Sequence, residues 1–211
     1  MSTQDTQFIC QVDLTVDADW NNVRKVYHKI KEKRDAGHFH REYKLEYDSE
    51  VYSLGALGFI SSSTSLTSES EVWDMIGGKI IEKILPADLI ALRDDMTNAG
   101  LNFINFNYYQ HLGHILEHVD GKEIDEGKHG HCNINYIVSS DTPNSTTFAR
   151  KHGHEESYRS IPSTAWLLNT TINHGVRNTG LREIFQIKIF SPFDDVRQFL
   201  QERSMLSPIK T

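Results

Sequence analysis

His118, Asp120 and His174 are the residues of this sequence whose types and spacing could do chemistry together. His118-Val119-Asp120 lies in an apolar–polar alternation, and on a strand residues two apart point to the same face. His174 lies far enough downstream to come from a different strand. Two imidazoles and one carboxylate can close one face of an octahedral iron site. Three positions then stay free for a bidentate cosubstrate and dioxygen. Arg182 enters the last β-segment after His174. A guanidinium there can hold a carboxylate through two parallel hydrogen bonds.

These residues together resemble the signature of the iron(II)/2-oxoglutarate-dependent dioxygenase superfamily: His-x-Asp, a distant His, then a basic residue roughly one strand later. The resemblance runs over residues 101–190. It implies a double-stranded β-helix (a jelly-roll, cupin-like core) that uses Fe(II), O2 and 2-oxoglutarate as cosubstrate. The cosubstrate is decarboxylated to succinate while the substrate is hydroxylated. Carried over by position, His118, Asp120 and His174 would be the metal ligands and the catalytic set, and Arg182 would bind the distal carboxylate of 2-oxoglutarate. Asn107 and Tyr109 fall on one face of a strand, at a spacing that some branches use for cosubstrate-binding Asn and Tyr. Residues 133–136 and 146–148 look like the family's middle strands, either of which can add a hydrogen bond to the cosubstrate. Ile184 stands where some branches carry Ser, and Lys188 is a second basic residue on the last β-segment.

The elements that must position these residues read as an α+β chain. Residues 7–15 alternate as a strand. From Asp17 to Arg34, Trp20, Val23, Tyr27 and Ile30 recur at helical spacing, with Asp17 or Asp19 as the N-cap and a solvated face bearing Lys25, Lys29, Lys31, Lys33 and Arg34. The hydroxyl-rich stretch 61–70 reads as a loop, with an active-site lid as the sharper alternative. Helices are predicted over 72–84 and 87–98, with Pro86 at the start of the second and Gly100 ending it. Short strands follow at 102–109, 112–119, 132–138, 145–149, 157–161, 165–169 and 183–190, a spacing that suggests an antiparallel barrel or sandwich. A last helix over 192–203 would be capped by Ser191, with Pro192 in its first position. The expected organisation is one oxygenase domain: helical support over 1–100, the β-helix core over 101–191, and a C-terminal helix and tail over 192–211.

Composition narrows the classes. The 211 residues carry a formal net charge of −7, so broad nucleic-acid binding is disfavoured. No apolar run approaches a membrane span, and the N-terminus lacks the basic, apolar pattern of a secretory signal. Cys10 and Cys132 are the two cysteines, which excludes a disulfide framework and fits a cytoplasmic protein. No G-x-S-x-G elbow, phosphate-binding loop or dinucleotide fingerprint is present.

Other histidines also look metal-like: His129-Gly130-His131 beside Cys132, and His152-Gly153-His154. Glycine-punctuated pairs of this kind read as exposed turns, since a structural zinc site draws four ligands and has one Cys nearby here. His111 and His114 precede the metal strand, and core packing or outer support for the metal is their expected role. Trp166 reads as core. The leading function is a hydroxylase acting on a small, amino-acid-like molecule or on a protein side chain. The alternatives are a cupin-type metal-binding protein without 2-oxoglutarate chemistry, for which Arg182 has no use, and a β-sandwich binding module with incidental histidines.

Overall fold

The computed structural model describes residues 7–35, 44–47, 50–53, 60–61, 70–77, 79–120, 132–142, 144–177 and 180–207. Its strands are β1 (Ile9–Val12), β2 (Lys44–Tyr47), β3 (Glu50–Ser53), β4 (Ile60–Ser61), β5 (Ser70–Gly77), β6 (Phe103–Gly113), β7 (Ile115–His118), β8 (Cys132–Ser140), β9 (Thr146–Lys151), β10 (His154–Arg159), β11 (Ala165–Asn169), β12 (Asn173–Arg177) and β13 (Leu181–Ile189). The helices are α1 (Trp20–Asp35), α2 (Lys79–Ile84), α3 (Ala87–Asn98) and α4 (Phe193–Glu202). The chain is therefore α+β, mostly antiparallel sheet with a few helices. A larger sheet runs in the order β1-β11-β8-β13-β6-β5-β4, a smaller one β10-β9-β12-β7, and β2 and β3 form a separate hairpin.

Alternation along the central strands builds two apolar layers and leaves a polar cleft. On β8, Cys132, Ile134 and Tyr136 join a core shared with Val23, Tyr27, Met96, Val196 and Phe199 from the helices. The intervening Asn133 and Asn135 point the other way and line a cavity, while Ile137 packs in a smaller cluster with Tyr109 and Ile184. Strand β13 repeats the pattern: Phe185, Ile187 and Ile189 face the helices, whereas Arg182 and Gln186 face the cavity. The period of two along a strand buried on both sides produces this division. At Gly113 the backbone takes φ +91, a left-handed value that glycine adopts without strain. There the long β6, in the larger sheet, gives way to β7, in the smaller one.

Several helix ends follow the local chemistry. Asp19 accepts the Asn22 N–H at 3.1 Å, so it is the N-cap of α1, of the two candidates expected. Gly100, at φ +84, closes α3: its N–H reaches the Thr97 carbonyl, and that of Leu101 reaches Met96. This is a Schellman ending, with Met96 and Leu101 both buried.

The structure corrects two expectations. Residues 72–84 are not one helix: 70–77 form β5, which pairs with β6 from Val72↔Leu112 to Gly77↔Asn107, and the helix starts at Lys79. Ladder hydrogen bonds to a long neighbour outweigh a helical apolar spacing in a segment rich in β-formers such as Val, Trp and Ile. Ser191 does not cap α4; Pro192 is the N-cap residue, and the Ser191 hydroxyl accepts the Asn102 N–H at 2.9 Å. Helix α3 spans Ala87–Asn98 as expected, with Pro86 at its N-cap position. The proposed lid over 61–70 lies outside the described residues apart from its ends, as do His129 and His131. Among the described residues, no helix is long and apolar enough to cross a membrane.

Candidate metal centre

His118 and His174 are register partners on the adjacent strands β7 and β12, which brings their rings to 4.3 Å between centroids. Asp120 lies just past the end of β7 rather than on it, and its N–H is held by the Thr170 carbonyl at 3.0 Å. That bond turns its carboxylate toward both histidines: His118 Nε2 is 3.4 Å from Oδ1, and His174 Nε2 is 3.8 Å from Oδ2. One ligand atom from each residue falls within 4.8 Å of the others. Ligands on one face of an ion, with bonds of about 2.1 Å, stand roughly 3 Å apart, so the set needs only a small contraction to hold a metal.

The outer contacts fix which nitrogen faces inward. His118 Nδ1 donates to the Leu116 carbonyl at 2.8 Å, and His174 Nδ1 to the Ile172 carbonyl at 3.0 Å. A carbonyl only accepts, so Nδ1 carries a proton in each ring, and Nε2 is the nitrogen turned toward the Asp120 carboxylate. Two imidazole nitrogens and a carboxylate that converge in this way need a proton or a metal ion between them. Burial works against a charge on His118, yet Asp120 and the Leu116 carbonyl raise its pKa above the ordinary histidine value. Burial alone would raise Asp120, but His118 and His174 bring it below its usual range. The two shifts are one interaction seen from its two partners, an imidazole and a carboxylate that face each other.

The backbone behind His174 is packed closely. A Cβ on Gly175 would stand 2.7 Å from the Ile115 carbonyl oxygen and 2.9 Å from the Phe148 ring. Arg177 lies over that ring at 4.0 Å and pairs with Glu155, which also binds Arg150. Strand β12 is thereby clamped to β9 and β10.

The cavity next to the three ligands runs between the sheets and ends at Arg182, which is 2% exposed. Arg182 Nη1 donates to Thr147 Oγ1 at 2.8 Å and to Ser160 Oγ at 3.3 Å, while its Nε has no partner. Among the described residues no carboxylate pairs with it, an unusual condition for a buried cation. Tyr109 lines the same cavity, and its phenol is pushed up by burial. Asn107 is set back from the cavity and donates to Gln186 at 3.2 Å. Gln186 donates in turn to Asn135 at 3.1 Å, and Asn135 to the Tyr158 hydroxyl at 3.1 Å. This amide chain crosses the cleft-facing side of three strands and ends on the smaller sheet.

The structure thus brings His118, Asp120, His174, Arg182 and Tyr109 around one cavity, with Asn107 behind it. Gln186 and Ser160 were not singled out from sequence. Gln186 had a signal, since it lies on the same face of β13 as Arg182; Ser160, just past the end of β10, had none. His152 and Gly153 form the exposed turn between β9 and β10, both at positive φ, away from the metal ligands. Trp166 stacks on Tyr158 at 4.9 Å as part of the smaller cluster.

No family model matches the chain, and no curated protein matches it. Among solved structures it is similar to a prolyl-4-hydroxylase from Pseudomonas putida, with a TM-score of 0.50 and 10% identity over 88% of this chain and 94% of that one. It also aligns with EvdMO1 (TM-score 0.47, 14% identity, 88% of this chain) and spans about half of that protein, 48%. AviO1 from Streptomyces viridochromogenes Tue57 aligns at TM-score 0.45 and 11% identity, over 88% and 90% of the two chains. The first likeness shows the fold alone: this chain folds like that structure, and in it His118, Asp120 and His174 form a group that can hold a metal ion.

Proposed function

We propose that the protein is an Fe(II)- and 2-oxoglutarate-dependent oxygenase that hydroxylates a small, amino-acid-like molecule or a protein side chain. The observation that carries this reading is the pairing, in one cavity, of three converging metal donors with a buried arginine that has no carboxylate partner among the described residues. The strand orders β11-β8-β13-β6 and β10-β9-β12-β7 agree with a double-stranded β-helix. In this reading His118, Asp120 and His174 hold the iron, and Arg182 binds the distal carboxylate of 2-oxoglutarate. Bound iron and cosubstrate supply the oxidation of a C–H bond by dioxygen. The chain's own residues fix the geometry: Nδ1 contacts orient both imidazoles, Thr147 and Ser160 hold one arm of Arg182, and the apolar walls Ile115, Leu168 and Val176 exclude water.

The test is the visible absorption of the anaerobic protein with Fe(II), before and after 2-oxoglutarate is added, beside His174→Ala and Arg182→Ala. A charge-transfer band that needs both additions, vanishes in the His174 variant and weakens in the Arg182 variant is the expected result. Iron binding without a band would favour the cupin-type alternative. No iron binding would overturn the metal assignment.

A further inference from the structure

His111 stands directly opposite Arg182 on the ladder between β6 and β13, so the two side chains leave the same face of the sheet as neighbours. His111 is fully buried, and among the described residues neither ring nitrogen makes a hydrogen bond of good geometry. The His114 backbone lies close enough to favour a ring proton without completing such a bond. The Nε of Arg182 is buried and unpartnered too. Buried polar groups normally find partners, so two unsatisfied side chains side by side call for an explanation. An apolar residue would fill the position of His111 without leaving any polar group unpaired.

What the pair lacks is an acceptor. Thr147 and Ser160 occupy one arm of the guanidinium, which leaves the Nε edge for an anion. A carboxylate offers two oxygens in one plane, one for the guanidinium and one for an imidazole N–H. We propose that His111 is a ligand-binding residue that, with Arg182, seats the remote carboxylate of a dicarboxylate cosubstrate. The identity of that dicarboxylate as 2-oxoglutarate rests on the oxygenase reading; the need for an anion rests on the two unsatisfied side chains. Burial, and next the charge of Arg182, lower the His111 pKa to about 3, so the ring is neutral at ordinary pH. A neutral donor suits this position, because a second cation there would have to be desolvated beside the first.

Calorimetric titration of the Mn(II)-loaded full chain with 2-oxoglutarate tests the inference, with 15N signals of the histidine rings recorded alongside. His111→Leu is expected to bind 2-oxoglutarate roughly tenfold or more weakly, as loss of one hydrogen bond to a charged group implies. Its Mn(II) affinity and melting temperature should hold or rise. His111→Gln, which returns an N–H donor, should recover part of the affinity. The wild-type ring signal that disappears in His111→Gln should shift when 2-oxoglutarate is added. A His111→Leu protein that binds 2-oxoglutarate like the wild type, while Arg182→Met does not bind it, would overturn the role of His111 and leave the oxygenase reading intact. A wild type that binds no 2-oxoglutarate would overturn both. If His111→Leu does not fold, the His111→Gln affinity and the wild-type ring shift decide: an unchanged affinity with an unmoved signal overturns the inference.

Discussion

His118 and His174 face each other across the β7–β12 ladder, each with its Nδ1 proton given to the carbonyl two residues before it. Two rings fixed in this way, with Asp120 between them, make a bound ion a link between neighbouring strands and the Thr170 turn.

An ion that binds the folded chain and not the unfolded one stabilises it by mass action. At a hundredfold excess over the dissociation constant the gain is about 2.7 kcal/mol. Fe(II) or Co(II) should therefore raise the melting temperature by several degrees, and a chelator should reverse the rise. His174→Ala should melt at one temperature with or without metal. Scanning calorimetry of the two proteins, each with metal and with chelator, reads this directly; a wild type indifferent to metal would remove the basis of the site.

Gly175 carries a sharper steric consequence. Its added Cβ would meet the Ile115 backbone oxygen at 2.7 Å, and backbone cannot swing away as a flexible side chain can. Gly175→Ala should cost about 1–3 kcal/mol of stability, the usual range for overpacking. It should also weaken metal binding, because the displaced strand carries His174 in the adjacent position. Denaturant titration and metal titration of the same variant separate the two effects. Full stability with full metal affinity would show that β12 relaxes freely.

Much of this centre was legible in the sequence for a physical reason. His-x-Asp and a distant His are residue types that bind metal ions, and their spacing in the chain singled them out. Arg182 was singled out by its place in the resemblance, and what the structure adds is its burial beside the same cavity. The register that places His118 opposite His174 was not legible, because pairing between strands far apart in sequence leaves no local trace. Nor was the position of Asp120 beyond the strand end, which depends on a carbonyl from a distant turn, that of Thr170. The segment 70–77 was misread because its apolar spacing fits a helix while its fate is decided by β6 beside it. Alternation along β8 and β13 marked the strands, but that both sides would be buried, one by helices and one by the cleft, emerges only from packing.

Glu183 ties α1 to the outer face of β13. Its carboxylate accepts Arg24 at 2.6 Å, Ser139 at 2.8 Å and Gln110 at 3.0 Å. Burial alone would raise its pKa, but the hydrogen bonds from Arg24 and Ser139 hold it below the ordinary glutamate value. A group whose folded pKa is depressed contributes stability above its unfolded pKa and loses it as pH falls through the folded one. Stability should therefore decline as pH drops below about 4.5, and Glu183→Gln should flatten that part of the curve. At pH 7 the variant should lose about 2–3 kcal/mol, since Arg24 and Ser139 lose a charged acceptor. Urea unfolding across pH 3–7 measures both quantities, and parallel curves for the two proteins would contradict the assignment.

Arg182 should behave in the opposite way. Its charge is desolvated, its neighbours Thr147 and Ser160 are neutral hydroxyls, and its Nε is unpaired. Replacing a buried ion by an apolar side chain of similar length removes that desolvation penalty, and such replacements are often neutral or stabilising by about 1–4 kcal/mol. Arg182→Met should therefore leave the ligand-free protein as stable as the wild type or more so, while 2-oxoglutarate binding is lost. Residues kept for folding show the reverse, a loss of stability on removal with ligand affinity following it. Thermal unfolding without ligand and 2-oxoglutarate titration, done on one preparation, tell these apart. If Arg182→Met lost several kcal/mol of ligand-free stability, Arg182 would be a structural cation held by Thr147 and Ser160. The anion-binding end of the cavity would then have to be sought elsewhere.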